Sequence, residues 1–167
     1  MTTLSTGIVS GSRQRSFEEI DARLRRIATG LEALGVGAGD CVAILMRNDI
    51  AALETTWAAQ WLGAYAVPVN WHFKPDEIAY VLADCEAKAL VGHADLINAC
   101  AGNLPAGLQV IAVEPPDEVR TAYPTDPDLL ARPPGSLDYE SWIGGLAPHP
   151  GPEKPAPSSM IYTSGTT

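Results

Sequence analysis

Apolar residues follow two rhythms along this chain, a spacing of three or four over some stretches and unbroken runs of three to six over others. Phe17, Ile20, Leu24, Ile27, Leu31 and Leu34 recur at three and four, which predicts an amphipathic first helix. Ser16 with Glu19 three residues on forms a capping box at its start, and Gly35 supplies its stop. Arg23, Arg25 and Arg26 lie mostly off the apolar stripe and predict a solvated face. Residues 41–46 are apolar without interruption, the pattern of a strand covered on both faces. Asn48 or Asp49 can cap the next helix, whose stripe reads Ile50, Leu53, Trp57 and Trp61 before Gly63. Tryptophans at i and i+4 predict core rather than a stacking platform. A second strand follows at 65–69, and Pro68 inside it predicts a sheet edge.

The alternation continues. Pro75 opens a third helix with Ile78, Val81, Leu82 and Cys85 as its buried face. Residues 89–91 and 109–113 read as two more strands, with a helix over 94–101 between them. The stretch 6–16 reads as a small hairpin around Ser10-Gly11-Ser12. Gly35, Gly37 and Gly39 are spaced G-x-G-x-G, after a helix and before a strand. A dinucleotide loop needs the opposite context and G-x-G-x-x-G, so this is a connecting turn. Strands alternating with helices predict an α/β fold with a mostly parallel sheet. The pattern fails over 114–136, where six prolines and several acids predict a surface loop, and over 147–158, where five more predict a linker. Between them, 137–143 reads as a short helix, and Met160-Ile161-Tyr162 as a buried strand.

Composition narrows the function classes. A formal net charge of −9 argues against a nucleic-acid surface, which needs Lys and Arg against phosphates. No apolar run is long enough to span a membrane, and residues 1–15 lack the charged start and apolar core of a secretory signal. Cys41, Cys85 and Cys100 sit in apolar surroundings and predict buried free thiols in a reducing cytoplasm. His72, His93 and His149 are scattered without metal-ligand spacing, so no metal ligand is assigned.

The chemistry lies at the end of the sequence. The apolar run 160–162 leads directly into Thr163, Ser164, Gly165, Thr166 and Thr167. Successive N–H groups in a Gly-bearing turn make a concave nest for anions, and the hydroxyls add donors. The loop lacks the lysine of a Walker loop. Tyr162-Thr163-Ser164-Gly165-Thr166-Thr167 resembles the opening of the phosphate-binding loop of the adenylate-forming (AMP-binding) enzymes, which include the acyl-CoA synthetases. The run 68–78 (Pro-Val-Asn-Trp-His-Phe-Lys-Pro-Asp-Glu-Ile), the stretch 88–91 and the opening helix leading into 39–43 are similar to the same family. His72-Phe73 stand where many relatives carry Arg-Leu, and Lys74 where they carry Thr or Ser. The resemblance implies the N-terminal domain of an acyl-CoA synthetase-like fold, here an incomplete domain over 1–167 with its phosphate loop begun at 162–167.

It also implies a reaction. A carboxylate attacks ATP to give an acyl-adenylate and pyrophosphate, and a thiol, usually coenzyme A, then displaces AMP. Thr163, Ser164, Gly165, Thr166 and Thr167 would hold the β- and γ-phosphates, with Mg²⁺ bridging phosphate oxygens. The resemblance puts the family's catalytic lysine, acyl pocket and adenine contacts beyond residue 167, so no catalytic residue is assigned within the chain and the chain alone is expected to be inactive. The partners expected are a small carboxylic acid, ATP and coenzyme A, with the oligomeric state open. Three alternatives stay open: an adenylation domain loading a carrier protein, a non-catalytic truncated α/β domain, and a stand-alone flavodoxin-like binding domain.

Overall fold

The computed structural model describes residues 7–157 and 160–163. A small hairpin, β1 (Gly7–Ser10) and β2 (Arg13–Ser16), turns at Gly11 and delivers the chain into helix α1 (Phe17–Ala33). Ser16 caps α1 as expected: its hydroxyl accepts from the Glu19 backbone N–H, and the Glu19 carboxylate accepts from the Ser16 N–H. Gly35 ends it with φ +87°. Its N–H reaches the Glu32 carbonyl and the Val36 N–H reaches the Leu31 carbonyl, the two bonds of a Schellman stop.

Five strands then form one parallel sheet in the order β4, β3, β5, β6, β7. They are β3 (Cys41–Leu45), β4 (Tyr65–Pro68), β5 (Ala89–His93), β6 (Gln109–Val113) and β7 (Leu137–Asp138). Helices α2 (Ile50–Trp61), α3 (Pro75–Asp84) and α4 (Ala94–Cys100) connect the first four strands. All five residues of β3 are buried. Val42 and Ile44 face the core built with α1, α2 and the last helix, α6 (Tyr139–Gly144). Cys41, Ala43 and Leu45 face the core built with α3 and α4. The uninterrupted apolar run thus has the predicted cause, a strand with a core on each side. Pro68 lies on β4 at the sheet edge, as predicted.

Several expectations are corrected. The buried face of α2 is Ile50, Ala51, Glu54, Thr55, Ala58 and Ala59, so the predicted stripe is rotated. Leu53 is exposed, and Trp57 and Trp61 pack at the rim of the core. Alanines admit the close approach of α1 and the sheet, and the larger side chains are displaced to the margin. Arg23 is not solvated: only 16% of its side chain is exposed, because it serves the buried Glu54. Residues 114–136 are not featureless. They hold helix α5 (Asp117–Ala122), anchored by buried Val119, and a 3-10 turn at Pro127–Leu130. The stretch 137–143 begins with β7 before becoming helical, and the Asp138 carboxylate accepts from the Ser141 N–H at the start of α6.

The predicted strand 160–162 is absent. Met160 and Tyr162 lie against the α3 core while Ile161 between them is exposed. An extended segment without a strand beside it among the described residues can bury alternate side chains but gains no ladder of hydrogen bonds. Cys41, Cys85 and Cys100 are free and buried, as expected. Burial raises all three thiols above their ordinary value, Cys85 to about 11.

Candidate functional site

Of the five residues expected to hold phosphate, Thr163 is described and the other four, Ser164, Gly165, Thr166 and Thr167, lie outside the described residues. The approach to the loop is fixed in two places. The Met160 sulfur sits 3.9 Å from the Cys41 thiol at the start of β3. The Tyr162 hydroxyl donates to the Asp84 carboxylate at 2.6 Å, at the end of α3. That bond favours the neutral phenol and raises the Tyr162 pKa. Thr163 is exposed and opens onto a cleft of about 320 Å³ walled by Phe73, Asp76, Glu77, Tyr80, Val81 and Tyr162. Its floor is apolar and its rim carries the two first-turn acids of α3.

A second constellation occupies the carboxyl ends of the strands, where ligands of open α/β sheets bind. From β3 the chain goes to β4 on one side, and β5 lies on the other side of β3, so strand order reverses between β3 and β5. Arg47 and Asp49 follow β3, while His93 ends β5 and Asp95 follows it. Asp49 is buried. One of its oxygens lies 3.2 Å from His93 Nε2, and the other accepts from Ile50 N–H and from Arg13. Burial pushes the Asp49 pKa up, but His93 and Arg13 outweigh it, and the carboxyl falls from 3.8 to about 2. The Arg47 Nη1 contacts Asp95 at 2.9 Å. The Arg47 guanidinium lies 5.2 Å from the centroids of both Trp71 and Tyr123.

Beside this cluster, buried Glu54 of α2 gathers two cations and a hydroxyl from three elements. Arg15 reaches it at 3.2 Å and Arg23 at 2.7 Å, and the Tyr139 hydroxyl donates to it at 3.2 Å. Arg23 also forks onto Glu140. Burial lowers the Arg23 pKa, but the bonds to Glu140 and Glu54 reverse that and raise it above its ordinary value. Burial raises Tyr139 well above the usual phenol range, so its proton stays in place. A small cavity of about 180 Å³ adjoins these groups, and every acid and base in them has a counter-charge. This arrangement ties the hairpin, α1, α2 and α6 together.

Sequence reasoning assigned no role to Arg47, Asp49 beyond its cap, His93 or Glu54. A signal exists for the first three: polar residues standing at the carboxyl end of an apolar parallel strand. Glu54 gave none, because a lone acid in an alanine-rich helix reads as surface. Among the described residues no group of three or more His, Cys, Asp or Glu is placed to hold a metal.

Comparison with known proteins gives a consistent set. The profile of a family described as AMP-binding enzyme matches residues 4–167. A feruloyl-CoA synthase of Amycolatopsis sp is 37% identical over 125 residues, which cover 70% of this chain and 26% of that protein. A long-chain-fatty-acid–CoA ligase of Thermus thermophilus is 34% identical over 171 residues, covering 100% of this chain and 28% of that one. The crystal structure of the anthranilate CoA ligase AuaEII in complex with anthranoyl-AMP superimposes with a TM-score of 0.78 at 26% identity, covering 97% of this chain and 30% of that chain. The chain thus spans under a third of the length of these relatives.

Proposed function

This chain belongs to the AMP-binding enzyme family, and we propose that it forms the N-terminal part of an ATP-dependent acid–CoA ligase. The whole protein joins a carboxylic acid to ATP, releasing pyrophosphate, and then passes the acyl group to the thiol of coenzyme A with release of AMP. The observation that carries this reading is the match over 4–167, which takes in the hydroxyl-rich residues 163–167. The CoA ligase names of the relatives support it.

In this reading Thr163, Ser164, Gly165, Thr166 and Thr167 hold the β- and γ-phosphates through amide N–H and hydroxyl donors. The Tyr162–Asp84 bond sets where that loop leaves the body of the fold, and exposed Thr163 presents its hydroxyl beside the cleft. Asp76 and Glu77 on the rim disfavour a bare triphosphate, which fits a nucleotide bound with Mg²⁺. When bound, Mg²⁺ neutralises charge on the phosphates. Residues 1–167 make up one incomplete domain, and that piece alone turns over no substrate. Three buried free thiols support a reducing compartment, the cytoplasm. No helix of the described residues is long and apolar enough to cross a membrane.

The test is AMP release from ATP by a protein that carries this segment together with the rest of the family domain. A panel of aliphatic and aromatic carboxylic acids is supplied, with and without coenzyme A. Acid-dependent AMP release that also needs coenzyme A supports the proposal. No AMP with any acid in the panel would refute it. AMP-forming activity from residues 1–167 alone would refute the inactivity of the piece.

A further inference from the structure

We propose that Arg47 is the receptor for an oxyanion, a phosphate or carboxylate group, bound in the crevice where strand order reverses between β3 and β5. The argument starts from the guanidinium itself. Arg47 is 92% buried, and its Nη1 is committed to Asp95. Nη1 lies on the same side as Cδ, so the Nε–H bond points away from that contact, alongside Nη2. Buried Nε has no hydrogen-bond partner. A buried donor without an acceptor is uncommon and calls for a partner. The edge that carries Nε and Nη2 is the fork that binds carboxylate and phosphate through two parallel bonds.

The surroundings hold that edge ready. Trp71 comes from the turn after β4 and Tyr123 follows α5, and their rings, packed edge to face at 5.0 Å, form one wall with both centroids 5.2 Å from the guanidinium. Rings over a guanidinium exclude water and leave the fork in its plane free. The acids nearby do not compete for it. Asp95 takes Nη1, and Asp49 is occupied by His93, Arg13 and the Ile50 N–H. Tyr123 is 43% exposed and stands outside regular structure, so its rotation gives a small anion access. Asp95 Oδ1 also has no partner and is the place for a bound water rather than for the anion.

The proposal is independent of adenylate formation, and its probes are inorganic phosphate and acetate, without ATP. The Arg47 Nε–H resonance of the 167-residue chain is followed by nitrogen-15 NMR during titration with each anion, with ionic strength held constant by chloride. The expected result is a saturable shift of that resonance. Saturation by phosphate and not acetate assigns a phosphoryl ligand, and the reverse assigns a carboxylate. Arg47→Lys keeps the charge and loses the fork, and it is expected to weaken the saturable response of the Trp71 indole resonance at least tenfold. A resonance that no anion shifts saturably overturns the proposal, as does an unchanged affinity in Arg47→Lys. Should that variant not fold, the wild-type titration decides alone.

Discussion

Asp49 shows how one buried side chain makes stability depend on pH. Its carboxyl titrates near 3.8 in the unfolded chain and at about 2 in the fold. The depressed value means that stabilisation is fully present above the unfolded pKa and is lost as pH falls through the folded one. The difference corresponds to on the order of 2 kcal/mol. Asp49→Asn removes that component. The stability gap between wild type and Asp49→Asn, from urea unfolding, is therefore expected to narrow by roughly 2 kcal/mol between pH 5 and pH 2. An equal gap at both ends would mean that Asp49 is not held ionised by His93 and Arg13. Gly30 poses the opposite test. Propensity says that Ala in mid-helix gains up to about 1 kcal/mol over Gly. Yet the Trp142 ring lies where a Cβ at residue 30 would stand. Overpacking costs about 1–3 kcal/mol, so Gly30→Ala is expected to lower stability, and a raised unfolding midpoint would contradict the packing.

At the scale of elements, legibility follows how many constraints act on each stretch. Helix α1 was readable because cap, stripe and glycine stop agree, and the structure keeps the cap, the stop and the stripe from Ile20 to Leu31, while Phe17 at its start is exposed. Leu24 lies at the middle of that stripe and is 9% exposed. Leu24→Ala is expected to cost about 2–5 kcal/mol, read as a fall in denaturant midpoint with unchanged slope. No change in midpoint would remove Leu24 from the core. The face of α2 was misread because tryptophans dominate a hydrophobic stripe, whereas the close packing of α1 and α2 selects for small side chains. Helix α5 was missed because prolines 115 and 116 read as breakers, though a proline next to a helix start is compatible with it. The hydroxyl-rich stretch 163–167 can be read only as a string, since 164–167 lie outside the described residues. Its apolar lead-in suggested a strand, and only the packing of Met160 and Tyr162 on the α3 core reveals an extended strap. The polar cluster at the strand ends is hinted at by polar residues after apolar strands but is not legible as a unit, since Arg13, Arg47 with Asp49, and His93 with Asp95 come from three separate stretches that only the fold brings together.

At the scale of the whole molecule, charge acts in two opposing ways, and their balance has a sign. The chain carries 20 acids against 11 Lys and Arg, a net charge of −9. Such an excess destabilises the compact state by self-repulsion, and salt screens it over a Debye length of about 10 Å at 0.1 M. Salt also weakens ion pairs, but several that join distant parts of this fold centre on Asp49, Glu54 and Asp95, which are nearly inaccessible. Buried pairs are screened far less than exposed charges. The exposed pairs that salt does weaken, such as Arg25–Asp21 and Lys88–Asp40, are individually weak. Relief of repulsion therefore wins. Raising sodium chloride from about 0.02 M to 0.3 M is expected to lift Tm by roughly 2–4 °C, the shift that about 1 kcal/mol produces in a domain of this size. A fall in Tm would show that the acid–base clusters behave as screened surface pairs. The same scan in Glu54→Gln separates the two effects. Losing the buried acid leaves Arg15 and Arg23 with only the exposed Glu140 as partner, so Tm should drop at every salt concentration while the upward slope with salt persists.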